Sequence, residues 1–247
     1  MVDQPSTWNG PYHTETVPVR TKNRQCSSAL QAVADVAAAI KVGFYDIGIS
    51  DGLESMTANP MAWDGSVTQG YTPISDLRVD SHRKAAAATS YGKFKDKIIP
   101  VKTKGIRPGT TLADLARLKP VFKKGGSTTA GTSIQVSDGA GVVLLMKRST
   151  ALQKGLPILG LLLLLVFHPR AAIMCSGPAV AIPAAVKAVV LKVIDIELFE
   201  INEAFASPFF YCQKKLEIDP KKINVNGGAR AIRHPLGATE GYTHLRG

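Results

Sequence analysis

The 247-residue sequence is poor in cysteine. Its three, Cys26, Cys175 and Cys212, are too few and too scattered for a disulfide framework, and no pair has metal-ligand spacing. A reducing compartment fits this usage, and no metal site is expected. Long apolar runs are also lacking. The longest, residues 156–167, contains five consecutive leucines, but a bilayer span needs about 20 apolar residues, and a run of 10–14 reads as a buried strand or core helix. The first residues show no basic stretch followed by an apolar one, so neither a secretory signal nor an organelle address is legible there. Aromatic residues make up 6%, and without aromatic interleaving or a recognisable module, the net charge of +11 alone does not make a nucleic-acid-binding protein.

What is present is an ordinary globular composition, 45% hydrophobic and 20% charged, long enough for one large domain or two smaller ones. The 30 Lys and Arg are spread along the chain. Their densest stretch is residues 93–104, with doublets at Lys123-Lys124, Lys214-Lys215 and Lys221-Lys222, and these read as solvated faces. A small phosphorylated ligand is compatible with this charge.

Hydrophobic periodicity predicts helices over residues 26–43, 83–90, 111–118, 149–154, 179–190 and 204–216. Gly43 stands where the first should stop, Thr110 or Thr111 caps the third, and Pro183 falls near the start of the fifth. Short apolar strands are expected at 45–49, 98–101, 141–146, 156–167, 194–200 and 223–225, with Ser50-Asp51-Gly52 as a turn. Residues 58–76 read as a long surface loop, and 128–139 as a hydroxyl-rich one. Helices alternating with strands indicate a layered α/β architecture.

Four stretches are more specific than this pattern. They are Asn23-Arg24-Gln25-Cys26-Ser27-Ser28, then Thr128-Thr129-Ala130-Gly131 through Ser137-Asp138-Gly139-Ala140, then Asn202-Glu203-Ala204-Phe205, and finally Asn226-Gly227-Gly228-Ala229 through His234-Pro235-Leu236-Gly237-Ala238-Thr239. In that order they resemble the thiolase family, most closely its plant peroxisomal 3-ketoacyl-CoA thiolases. The resemblance implies a thiolase-like fold of two similar βαβαβ halves in an α/β/α arrangement, each incomplete here. An N-terminal domain would occupy residues 1–150, with a shortened loop domain at about 52–125, and a C-terminal domain residues 151–247. It further implies thiolytic cleavage of 3-ketoacyl-CoA in fatty acid β-oxidation, acyl-CoA and CoA as substrates with no separate cofactor, a homodimer, and a peroxisomal location. Cys26 would take the acyl group, His234 would activate it, and Asn202 with His234 would steady the thioester oxygen. Gly131, Ser133 and Phe205 would contact the substrate.

The residues themselves support these roles without requiring them. A cysteine at a helix start has its thiolate favoured by the macrodipole; an isolated cysteine reads more often as a small buried hydrophobe, and the surrounding motif reverses that preference. A histidine in a glycine-rich loop can act as a base or simply be solvated. An asparagine between strand and helix can hold an oxyanion or a water, or merely cap the helix.

Several positions depart from the family pattern. Arg233 stands where the family has glycine before the histidine, Arg230 replaces an apolar residue, Ile134 replaces a serine that touches CoA, and Pro208 falls early in a helix. The family's second catalytic cysteine, in a Cys-x-Gly motif beyond the His-Pro segment, is not reached before Gly247, and Cys175-Ser176-Gly177 lies in the wrong place to replace it. The expectation is therefore impaired thiolysis with acyl transfer onto Cys26 retained, or a remnant that binds acyl-CoA or a thiolase subunit without turnover.

Overall fold

The structure is a computed structural model that describes residues 18–58, 76–95, 106–107, 109–120, 129–131, 133–134, 137–163, 177–204 and 206–239. The expected strand at 98–101 and most of the expected loop at 58–76 lie outside the described residues.

The N-terminal part is built on helix α1 (Ser28–Val42) and strands β1 (Ile47–Glu54) and β2 (Gly139–Met146). Helix α1 ends at Gly43, whose φ of +85° allows its N–H to reach the carbonyls of Ala39 and Ile40. The chain then reverses into β1, which pairs antiparallel with β2 from Ile47 opposite Met146 to Glu54 opposite Gly139. Ser50, Asp51 and Gly52 belong to this strand and do not form the expected turn. Packing explains the difference. A Cβ on Gly52 would come within 2.6 Å of the Gly237 carbonyl oxygen and 2.8 Å of both Ala238 Cα and Ala29 Cβ, so glycine is required for close approach. The even-numbered positions of β1 face α1. The odd ones are exposed and, apart from Asp51, apolar, with Ile49 65% and its β2 partner Leu144 57% accessible.

Helix α2 (Asp76–Ser90) begins earlier than periodicity suggested, its polar side carrying Asp80 with Arg83 and Lys84 at helical spacing. Helix α3 (Leu112–Ala116) starts at Thr111, whose hydroxyl and backbone form a reciprocal capping box with Asp114. Helix α4 (Arg148–Gln153) follows β2. The expected buried strand at 156–167 is absent where it is described: residues 156–163 have no strand partner, and Leu159 and Leu163 are exposed. An apolar run cannot become a buried strand without a ladder to join.

The C-terminal part contains α5 (Gly177–Ala188), α6 (Ala206–Lys215) and α7 (Ala229–Ile232). Because α5 begins at Gly177, Pro183 lies in its interior and not near its start, where its missing N–H removes a helical hydrogen bond. Pro208 is in the first turn of α6, where proline is tolerated. The expected strand at 194–200 is a 3-10 turn (Val193–Asp195) followed by extended chain that meets Ile223 in a single parallel bridge at Phe199. Phe199, Ile201, Phe209, Ile218 and Ile223 form the core beneath α6, with Ile182 of α5 packed against them. Extended chain, helix and parallel return make a reduced βαβ unit. Helix α2 packs on α7, which joins the two parts.

Candidate active site

The Cys26 turn is shaped by its own motif. Asn23 accepts the N–H of Gln25, Ser28 accepts the N–H of Arg24 while donating to the carbonyl of Gln25, and Ser27 N–H closes on Arg24. These bonds hold Gln25 at a φ of +52°, a left-handed conformation that a non-glycine residue adopts at a cost of about 1 kcal/mol. Cys26 therefore lies in a 3-10 turn (Gln25–Ser27) immediately ahead of α1, half-buried and in no disulfide. It is not the fully buried hydrophobe of the alternative reading, and it meets the positive end of a 15-residue helix.

That turn packs against a second 3-10 turn (Leu236–Ala238), which follows His234. The histidine loop is clamped by the N-terminal part. Gly237 donates to the Glu54 carboxylate at 3.0 Å, its neighbour Ala238 sits against Gly52, and Pro235 fills the space a side chain on Gly139 would occupy. Thr57 in turn bonds Asp138 through both N–H and hydroxyl, fixing the start of β2 and holding the Asp138 carboxyl below its ordinary range.

His234 is completely buried, which rules out a solvated loop histidine. Burial disfavours the imidazolium and lowers its pKa from 6.5 to about 4, so the ring is neutral at physiological pH. Nδ1 contacts the Thr239 hydroxyl, and Nε2 faces Asn202 Nδ2 at 3.4 Å. Asn202 is not a helix cap, since α6 begins four residues later. Its Oδ1 is buried without a hydrogen-bond partner, so the amide retains an open polar position beside the ring.

The other expected substrate contacts are differently placed. Gly131 is buried, packed on Leu115 and Leu118, and donates to Thr129 Oγ1. Ser133 uses its hydroxyl to close its own turn on Thr129, while the next residue, Ile134, donates to the carbonyl of Ala204. This loop is therefore tied to the Asn202 segment. Phe205 lies outside the described residues. Arg233 holds a φ of +76° and ψ of 170°, a region essentially reserved for glycine, so the backbone keeps a glycine geometry under an arginine side chain. Arg230 is also fully buried, with its guanidinium 5.6 Å from the centre of the Phe209 ring.

Motif reading gave no role to Thr239, Glu54, Ser81 or Asn224. Thr239 lay within a quoted motif, but its partnership with the histidine follows from a tight turn that sequence does not display. Among the described residues no group of three His, Cys, Asp or Glu could hold a metal ion, and no helix is long and apolar enough to cross a membrane.

The thiolase N-terminal domain model matches residues 13–80 and 74–149, and the thiolase C-terminal domain model residues 164–244. Peroxisomal 3-ketoacyl-CoA thiolase 2 of Arabidopsis thaliana is 60% identical over 91% of this chain and 59% of its own length. The dimeric peroxisomal thiolase of Saccharomyces cerevisiae superposes with a TM-score of 0.76 at 39% identity, covering 91% of this chain and 69% of that one. Human mitochondrial 3-ketoacyl-CoA thiolase in complex with CoA gives 0.78 at 27% identity, covering 92% and 69%. The chain spans about three-fifths of the length of the curated relatives it matches. Its fold is the α/β fold of those enzymes, and the chain belongs to the thiolase family.

Proposed function

We propose that this protein is a thiolase-type acyltransferase that cleaves 3-ketoacyl-CoA with CoA, in the manner named for its peroxisomal relatives. The observation that carries this reading is the pairing of a buried, neutral His234 with Asn202, next to the turn that packs against the Cys26 turn. His234 Nε2 takes the thiol proton of Cys26. The thiolate attacks the 3-keto carbon, whose oxygen gains negative charge, and the Asn202 amide is the proposed donor to that oxygen. Breaking the bond between C2 and C3 leaves an acyl thioester on Cys26 and releases the acetyl-CoA enolate, which takes up the proton that His234 drew from Cys26 and so returns the imidazole to its neutral form. CoA thiol then gives its proton to His234 and attacks the acyl-enzyme, releasing a shortened acyl-CoA and regenerating Cys26. Gly131, Ser133 and Phe205 belong to the proposed substrate contacts, CoA enters as a substrate, and the N-terminal and C-terminal domains divide near residue 150.

The same relationship suggests a peroxisomal location and a homodimer, since the similar yeast enzyme is peroxisomal and dimeric. The test is loss of acetoacetyl-CoA on addition of CoA to the purified chain. Turnover abolished by Cys26→Ala and by His234→Asn supports the reading. Turnover that survives Cys26→Ala refutes it.

A further inference from the structure

Beneath the Asn202 and His234 pair lies a buried carboxylate that the reaction as described does not use. Glu203, 3% exposed, accepts the Ser81 hydroxyl at 2.9 Å and the N–H of Arg230 at 3.2 Å on one oxygen, and the Asn224 amide at 3.1 Å on the other. These partners come from α2, from the turn after Ile223 and from α7. Each leads back to the site. Asn224 also pairs with both backbone groups of Ile201, accepting its N–H at 2.8 Å and donating to its carbonyl at 2.9 Å. Asn202 thus projects from backbone fixed on one side by Asn224 directly and on the other through Glu203. Arg230 lies in the four-residue helix α7, and the next residues after that helix are Arg233 and His234.

Gly227 and Gly228 make room for this arrangement. A Cβ on Gly228 would fall 2.2 Å from the Glu203 carboxyl carbon, and one on Gly227, at a φ of +85°, would lie 2.6 Å from Ala85 Cβ. Gly228 N–H also donates to Ser81 Oγ at 3.0 Å, so the Ser81 hydroxyl lies between Gly228 and the carboxylate.

We propose that Glu203 is a positioning residue for the Asn202 and His234 pair, its buried carboxylate locking α2, the Asn224 turn and α7 into the one arrangement that brings the two side chains together. This rests on the proposed acyl-transfer role of that pair, but its test needs no turnover.

The experiment follows the His234 ring by NMR titration in the full chain, with the resonance assigned from His234→Asn. It compares Glu203→Ala with Ile218→Val, a variant that weakens the core beneath α6 and removes none of the carboxylate's hydrogen-bond partners. Loss of the lock lets water reach the ring, so Glu203→Ala should raise the His234 pKa from about 4 toward 6.5, by about one unit or more. Ile218→Val should lower the Tm and leave that pKa unchanged. A folded Glu203→Ala whose His234 titrates as in Ile218→Val would overturn the proposal. Ser81→Ala, which removes the hydroxyl between the carboxylate and Gly228, provides the same reading if Glu203→Ala does not fold: a raised His234 pKa supports the lock, an unchanged one refutes it. Absence of thiolysis alongside a shifted titration would count against the proposed function and leave the positioning role intact.

Discussion

Thr239 fixes which nitrogen of His234 carries the proton. Its hydroxyl lies 2.5 Å from Nδ1 and donates its single proton to the Pro235 carbonyl at 3.0 Å. Nδ1 must therefore be the donor to Thr239, which leaves Nε2 unprotonated toward Asn202. That is the tautomer a base requires.

Removing the acceptor should cost Cys26 its activation. Thr239→Val keeps the shape of the side chain but leaves Nδ1–H without a partner, which favours the opposite tautomer. Alkylation of Cys26 by iodoacetamide at pH 7 should slow by about tenfold or more, within the range of general-base contributions. In the unaltered protein Cys26 should react well ahead of Cys212, which is fully buried and whose thiol pKa burial pushes up. Peptide mass spectrometry of timed samples measures both rates.

Stability should depend on pH through the same ring. The folded-state pKa of His234, about 4, lies below its ordinary 6.5, so between these values the unfolded chain binds the extra proton. Stability from this group is complete above pH 6.5 and is lost as pH falls toward 4, by at most about 3 kcal/mol. Urea titrations from pH 7 to 4 should show that slope in the unaltered chain and a flatter one in His234→Asn.

Arg233 carries backbone strain that glycine would not. At a φ of +76° and ψ of 170°, the strain is about 1–3 kcal/mol, and glycine gives back roughly 0.4–1 kcal/mol through its freer unfolded state. Arg233→Gly should raise stability by about 1 kcal/mol, read as a higher urea midpoint at unchanged slope. A lower midpoint would show that the arginine side chain makes contacts worth more than the strain.

Gly52 is where α1, β1 and the histidine loop converge, so any side chain there must push them apart. Gly52→Val should destabilise the protein by about 1–3 kcal/mol and slow Cys26 alkylation, because the wedge falls between Ala29 on the cysteine helix and Gly237 after the histidine. Chemical denaturation and the alkylation assay report the two effects separately.

These residues also show where sequence reading worked and where it stopped. Short motifs single out Cys26, Asn202 and His234 because each carries both a chemical group and a local turn, and the structure brings Asn202 to His234 and sets the Cys26 turn against the turn after the histidine. The start of α1 and its end at Gly43 were legible for the same local reason. Gly52 was not, since Ser50-Asp51-Gly52 has turn chemistry, and the close approach that places it in a strand comes from residues far along the chain. Glu203 stands in a motif without a role of its own until Ser81, Asn224 and Arg230 are brought around it from distant positions. The apolar run at 156–163 had the composition of a buried strand, but strand formation depends on a pairing partner that composition cannot reveal.

The central claim is that Cys26, activated by His234, accepts an acyl group. Incubation with acetyl-CoA, rapid quenching and peptide mass spectrometry test it most directly. The account predicts an acetyl group on the Cys26 peptide, absent in Cys26→Ala, strongly reduced in His234→Asn, and discharged when free CoA is added. No acetylation of Cys26, or equal acetylation in His234→Asn, would contradict it.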